Sequence, residues 1–300
     1  MSFVTAQPEG GASRHPTGDR PGDGRSVGGA VGTHEVGAYW DNVGRELLQR
    51  SRDDQSNIAS DDTPHHSLRQ RRSFEEFHDT PYYSIRQRHF FEEFLDPAFR
   101  DVSSILEIGP GPGGNLNRLR SQGKTVFGAE VSEIMVNIAR LNGLDSIVQI
   151  DGSHLPFEDK FCDAVFTSTV LQHNTKERAA SLLAEIARVA AKEVHLFEDT
   201  ALIPLRDRRL HWLRPPSWYV SLLESQGYEL TFQRRLPLAC QEVAATIARV
   251  LIDRQRGQKA RATARRLRLE AILCGAARPV DRYVPPMVGL TRMSFRRTDG

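Results

Sequence analysis

The stretch ILEIGPGPGGNLNRL carries the densest set of residues that could do chemistry. Ile105 to Ile108 is a short apolar run, and Gly109, Gly111 and Gly114 then spell G-x-G-x-x-G. Such glycines let a chain bend from strand to helix with positive φ and let a ligand approach the backbone closely. Taken alone, the spacing would also suit a dinucleotide. Glu107 stands two residues before the first glycine. A carboxylate there suits a cationic ligand and repels a pyrophosphate. Glu130 follows about 20 residues on, where a carboxylate can accept both hydroxyls of a ribose. Asp151-Gly152 closes a third β-rich run, and CDAVFTSTVLQHN runs toward the same edge.

These residues need a frame that brings separate strand ends together. From Val102 onward, short β-rich runs (SSILEIG, KTVFGAEV, SIVQID, FCDAVFTST, KEVHLFED) alternate with helical patterns (GNLNRLRSQ, SEIMVNIARLN, TKERAASLLAEIARVAA). That alternation implies right-handed βαβ units and a parallel sheet, in which the carboxyl ends of the strands share one edge. After Thr200 come a loop rich in Arg, Trp and Pro, a helix (WYVSLLESQG), a strand (YELTFQRRL), helices over about 239–275 and a last strand, GLTRMSFRR.

The motifs EIGPGPGG, Glu130, Asp151 and DAVFTSTVLQH followed by LLAEIARV resemble those of class I S-adenosylmethionine-dependent methyltransferases. The similarity covers roughly residues 80–297, with the motifs in the family's order and spacing. It implies an α/β, Rossmann-like sheet of seven mostly parallel strands with an antiparallel last strand. An N-terminal helical cap and a helical insertion before the last strand complete that expectation. It also implies S-adenosylmethionine as cofactor. The turn of Gly109, Gly111, Gly114 and Asn115 would pass under the methionine part, together with Glu107. Glu130 and Val131 would meet the ribose. Asp151 would face the adenine amino group, with Gly152 and Ser153 beside it in the cofactor set and Leu155 or its neighbours flanking the ring. Thr167 and Ser168 open the segment, running to Leu171, that would line the methionine and the acceptor.

Upstream, the chain repeats itself: Asp62–His78 and Asp79–Leu95 share Asp-Thr-Pro, Ser, Arg-Gln-Arg and Phe-Glu-Glu-Phe. Pro at the third position of each copy suits a helix start. Each copy therefore reads as a turn and a short helix, with Phe74 and Phe77, or Phe91 and Phe94, on one face. Many small-molecule members of the family carry a cofactor-capping segment at the distance of the second copy. The resemblance therefore adds Tyr82, Tyr83 and Arg86 to the cofactor set, since a phenol or guanidinium there can bind the methionine carboxylate. The alternative is that the tyrosines only pack a cap helix. The first copy has His65-His66 in place of the tyrosines and reads as a tandem duplication.

The expected organisation is a disordered tail (1–34), a helical cap with the repeat (35–98), and a methyltransferase domain (99–300) with its helical insert at 239–275. The tail is rich in Gly, Pro, Arg and Asp and has too little apolar surface to offset the entropy of ordering. It also lacks the apolar centre of a secretory signal. Lys plus Arg number 40 against 38 Asp plus Glu, a net charge of +2, which leaves no electrostatic footprint for nucleic acid. There is no apolar run long enough for a membrane span. Three scattered cysteines fit a reducing, cytoplasmic setting and neither a disulfide framework nor a zinc site. No metal is expected, and a homodimer is compatible with this family.

On the acceptor side, His173 and Glu198 are the candidates for proton transfer, while His211, Trp212, Trp218 and Tyr219 could wall an acceptor pocket or simply pack. Methyl transfer from a sulfonium is an in-line displacement that needs alignment and desolvation more than a dedicated base. The fold therefore leaves the acceptor open. Thr167-Ser168-Thr169-Val170 is unlike the Asn-Pro-Pro-Tyr run of enzymes that modify DNA bases. A small-molecule acceptor, in bacterial specialised metabolism, is the expected substrate class. Two alternatives share parts of the pattern: internal displacement within S-adenosylmethionine, and nicotinamide-dependent oxidoreduction.

Overall fold

The computed structural model describes residues 33–56, 80–208, 211–253 and 262–298. The first repeat copy, residues 1–32 and residues 254–261 lie outside the described residues.

The chain begins with α1 (Thr33–Ser56). Val36 and Leu47 are buried, three helical turns apart. The helix runs six residues past Arg50, into a segment whose polar composition predicts a connector. The second repeat copy forms α2 (Pro81–His89), started by Pro81 and by Thr80, whose hydroxyl accepts from the Tyr83 N–H at 3.4 Å. A π-helical turn, Phe90–Leu95, continues it. This turn changes which aromatics are buried. The spacing predicts Phe91 and Phe94 as the inward pair, but Phe90 and Phe94 are the buried ones, both against Phe197. The wider π turn rotates the face by about one position.

Seven strands then build one sheet: β1 (Ser104–Ile108), β2 (Thr125–Glu130), β3 (Ile147–Gln149), β4 (Cys162–Ser168), β5 (Ala190–Ala201), β8 (Tyr228–Arg235) and β9 (Val288–Arg297). Their order across the sheet is β3-β2-β1-β4-β5-β9-β8. The first five pair in parallel, and β9 inserts antiparallel between β5 and β8. A separate ribbon, β6 (Leu205–Arg208) with β7 (His211–Leu213), occupies the loop after β5, where no strand is predicted.

Helices α3 (Gly114–Ser121), α4 (Glu133–Leu141), α5 (Lys176–Val189) and α6 (Pro216–Glu224) flank the sheet. Neighbouring residues of β1 feed opposite faces, as a strand buried on both sides requires. Leu106 packs with Val165, Ile186 and Tyr219 on one side; Ile105 packs with Phe99, Leu116 and Phe166 on the other. The insertion before β9 is a pair of helices, α7 (Ala239–Asp253) and α8 (Ala264–Asp281), ending six residues beyond the predicted boundary. The Asp281 carboxylate accepts from the N–H groups of Cys240 and Gln241, which ties the far end of α8 to the start of α7.

Two contacts hold the N-terminal helices over the strand ends. Asp41 of α1 accepts from the Ser132 hydroxyl at 2.6 Å, just after β2. Nearby, Gly44 lets α1 lie close on α4: a methyl there would sit 2.6 Å from a Ile134 carbon. Glu270 of α8 accepts from the Tyr82 N–H at 3.0 Å, fixing the start of α2 against the insertion.

Candidate active site

The strand-to-helix turn after β1 is built by backbone conformation and by one carboxylate. Gly109, Gly111 and Gly113 all have positive φ. The Glu130 side chain, buried at the end of β2, accepts from Gly111 N–H at 3.0 Å with one oxygen and from Ser132 N–H at 3.0 Å with the other. It therefore braces the turn besides facing it. Burial raises its carboxyl above the ordinary range, and those N–H groups oppose the rise.

The motif spacing predicts positive φ at Gly114, but the third left-handed glycine of the turn is Gly113. Gly114 has an ordinary helical conformation, and a methyl on it would meet nothing within 4 Å. Gly113 has φ +86°, and a methyl there would fall 2.0 Å from the Leu144 side chain. Its role is packing the turn against the α4–β3 corner, while the space beside Gly111 and Gly114 is open.

Glu107 is 1% exposed. One carboxylate oxygen accepts from the Asn115 amide at 2.8 Å, and the other, also buried, has no hydrogen-bond partner. Burial pushes this carboxyl up to about 8, with Asn115 working against the shift and Glu130 adding to it. A buried acceptor without a donor is costly unless something else completes it. Because the folded value lies above the unfolded one, the folded chain holds more protons between pH 4.5 and about 8. Its stability is therefore expected to fall as pH rises through that window. Urea unfolding at pH 6 and pH 8 checks this, and Glu107→Gln should flatten the difference.

At the end of β3, Asp151 is exposed and its carboxylate accepts from both the N–H and the hydroxyl of Ser153, at 2.8 and 2.6 Å. Those bonds hold its carboxyl below the usual range. Gly152 has φ +81° between them. Leu155 is fully buried in the core, so its side chain faces the sheet and not the open edge.

The segment after β4 is clamped over the glycine turn. Thr167 donates its hydroxyl to Glu198 at 2.8 Å, and the same carboxylate accepts from the N–H groups of Val170 (3.1 Å) and Gln172 (3.3 Å). Glu198 is fully buried. Burial raises its carboxyl to about 7 against these bonds. Both of its oxygens are engaged by the loop, which ties the segment after β4 to the end of β5. Ser168 is half-buried, and its carbonyl accepts from the Thr169 hydroxyl. Thr169 has φ +58°, a conformation that a β-branched residue adopts only under constraint. Its N–H donates to the Phe197 carbonyl at 2.8 Å, which supplies the constraint. Val170 then covers Gly109, where a methyl would come within 2.6 Å of its side chain. No signal in the sequence marks Thr169, because non-glycine left-handed residues are set by tertiary contacts.

His173 is half-buried at the end of this segment. Trp40 of α1 meets its ring edge-on at 5.3 Å, and His211 of β7 stacks on it at 5.6 Å. The structure thus brings the N-terminal helix and the ribbon together on His173. The cap residues are differently engaged. Arg86 donates to both oxygens of Asp199, at 3.2 and 3.5 Å. Tyr82 is turned toward Glu242 of α7, and burial raises its phenol. Tyr83 is 38% exposed. The partners of Arg86 and Tyr82 lie on β5, α7 and α8, not on the glycine turn, which favours the packing alternative for these two.

Residues 106–197 match the family model described as a methyltransferase domain. This segment is a methyltransferase domain of the class I fold. An uncharacterized methyltransferase of Geobacillus sp. (strain WCH70) is 34% identical to the chain over 110 residues, 36% of this chain and 50% of that protein. The match thus spans half the length of that curated relative. Among solved structures, the [4+2]-cyclase SpnF superimposes with a TM-score of 0.58 at 18% identity, over 90% of this chain and 98% of that one. Mycolic acid cyclopropane synthase CmaA1, complexed with SAH and CTAB, gives 0.51 at 14% identity, over 75% and 93%. These likenesses establish the fold. The matched segment contains Glu107, the glycine turn, Glu130, Asp151, Thr167 and His173, and ends inside β5, just before Glu198 and Asp199.

Proposed function

We propose that this protein is an S-adenosylmethionine-dependent methyltransferase acting on a small-molecule acceptor, in bacterial specialised metabolism. The observation that carries the reading is Glu107. A carboxylate buried at the glycine turn with one unsatisfied oxygen needs a cationic or hydrogen-donating partner, and open space lies beside Gly111. The donor-binding residues would be Glu107 for positive charge, Glu130 for ribose hydroxyls and Asp151 for the adenine amino group. S-adenosylmethionine supplies an electrophilic methyl on a positive sulfur.

The chain's own part is alignment and exclusion of water. Glu198 and Thr167 hold the segment after β4 in place, and Val170 seats that segment on Gly109. Where the acceptor must lose a proton, His173 would take it; its ring is held by contacts with Trp40 and His211. Among the described residues no helix is long and apolar enough to cross a membrane.

Calorimetric titration with S-adenosylmethionine tests the reading. At pH 7 Glu107 is mostly protonated, so a cation settling beside it should release a proton. The binding heat should then vary with the ionisation enthalpy of the buffer, and Glu107→Gln should remove that variation. Absence of any binding sinks the proposal. Product analysis separates methylation, which leaves S-adenosylhomocysteine, from internal displacement, which leaves methylthioadenosine. The second outcome stays in view because the fold also serves the [4+2]-cyclase SpnF, so architecture alone does not name the reaction.

A further inference from the structure

The ribbon β6–β7 separates two environments. His211 turns toward His173, whereas Trp212, the next residue of the strand, lines a cavity of about 570 Å³ on the other side. The cavity lies between the ribbon, the start of α5 and the start of α6. A volume of this size suits a small organic ligand.

Its walls are apolar and flat where the two indoles stand. Trp212 and Trp218 each carry an arginine over the ring, Arg206 at 5.2 Å and Arg214 at 4.9 Å. Leu205, 41% exposed, adds an aliphatic edge. Lys176 and Glu177 form the first turn of α5 at the rim, so the positive end of a 14-residue helix joins three cationic side chains. Among the described lining residues the one acid, Glu177, is drawn back to the helix start by its own N–H and the Thr175 hydroxyl. Arg214 is already committed to the carbonyls of Leu171 and Asn174, which fixes its plane as a wall. The balance is therefore positive charge above aromatic faces, an environment that favours a planar anion.

We propose that this cavity is a second binding site, for a small molecule with a flat apolar body and one anionic group. It lies behind the ribbon, apart from the glycine turn, and is independent of the methyl-transfer reading. The test is titration of the full chain with 2-naphthoate and with the neutral 2-naphthamide, followed by calorimetry and tryptophan fluorescence. Naphthoate is expected to bind saturably at one site, with the amide at least about tenfold weaker. Arg206→Glu, a change at an exposed position, should abolish naphthoate binding, and Trp212→Ala should weaken it by about tenfold or more. Circular dichroism identifies a variant that fails to fold, in which case Arg206→Glu decides. S-adenosylmethionine affinity, read in a separate titration, should be unchanged by either variant and by saturating naphthoate. No naphthoate binding, equal binding of the amide, insensitivity to Arg206→Glu, or competition with S-adenosylmethionine would each overturn the proposal.

Discussion

Replacing Gly113 by alanine is expected to lower the unfolding free energy by about 2–5 kcal/mol, the sum of a left-handed conformation and an overpacked contact. The φ of +86° disfavours any side chain. The added methyl would also fall 2.0 Å from the terminal Cδ1 of Leu144, a side chain 3% exposed that would have to shift. Denaturant unfolding measures the loss. A double-mutant cycle with Leu144→Ala separates the two causes: the cavity should absorb the methyl and recover the packing part, leaving the backbone part. Gly114→Ala is the control, since a methyl there meets nothing in the protein. Equal destabilisation by both substitutions would show that the turn is not packed as described. Should Gly114→Ala weaken S-adenosylmethionine binding without loss of stability, the open space beside it is where the donor lies.

The second large effect is expected at Glu130. Glu130→Ala should weaken S-adenosylmethionine binding by about 1–3 kcal/mol, the usual range for hydrogen bonds to a charged group and for the polar partners they leave behind. Part of that loss is indirect. Gly111 N–H and Ser132 N–H would lose their acceptor, and the turn under the donor would lose its brace. Glu130→Gln, which keeps one acceptor oxygen, should fall between wild type and alanine. Calorimetry gives the affinities, and thermal unfolding shows how much is bracing. Unchanged affinity in the alanine variant would remove Glu130 from the site.

Much of this arrangement was legible in the order of residues. Alternating β-rich and amphipathic segments specify parallel strands joined by helices, because each strand must bury both faces and each helix one. Glu107, Glu130 and Asp151 could be placed at one edge for the same reason: in a parallel sheet every strand ends there. The charge and glycine pattern at β1 was local chemistry, and local chemistry survives without a structure.

What the chain order could not settle was decided by contacts between distant segments. The motif spacing counts Gly114 among the left-handed glycines, yet the positive φ and the contact with Leu144 belong to Gly113. Glu198 looked like a free acid at a strand end, but the segment after β4 turns back and uses its oxygens. Arg86 looked available to a ligand until β5 set Asp199 beside it. Thr169 is forced left-handed by the Phe197 carbonyl, and the second face of the β6–β7 ribbon exists only once the loop after β5 folds. Periodicity and composition report which groups a residue carries and which side it shows its own element. They do not report which remote donor or acceptor will reach it first, and at this site that competition sets each carboxylate's role.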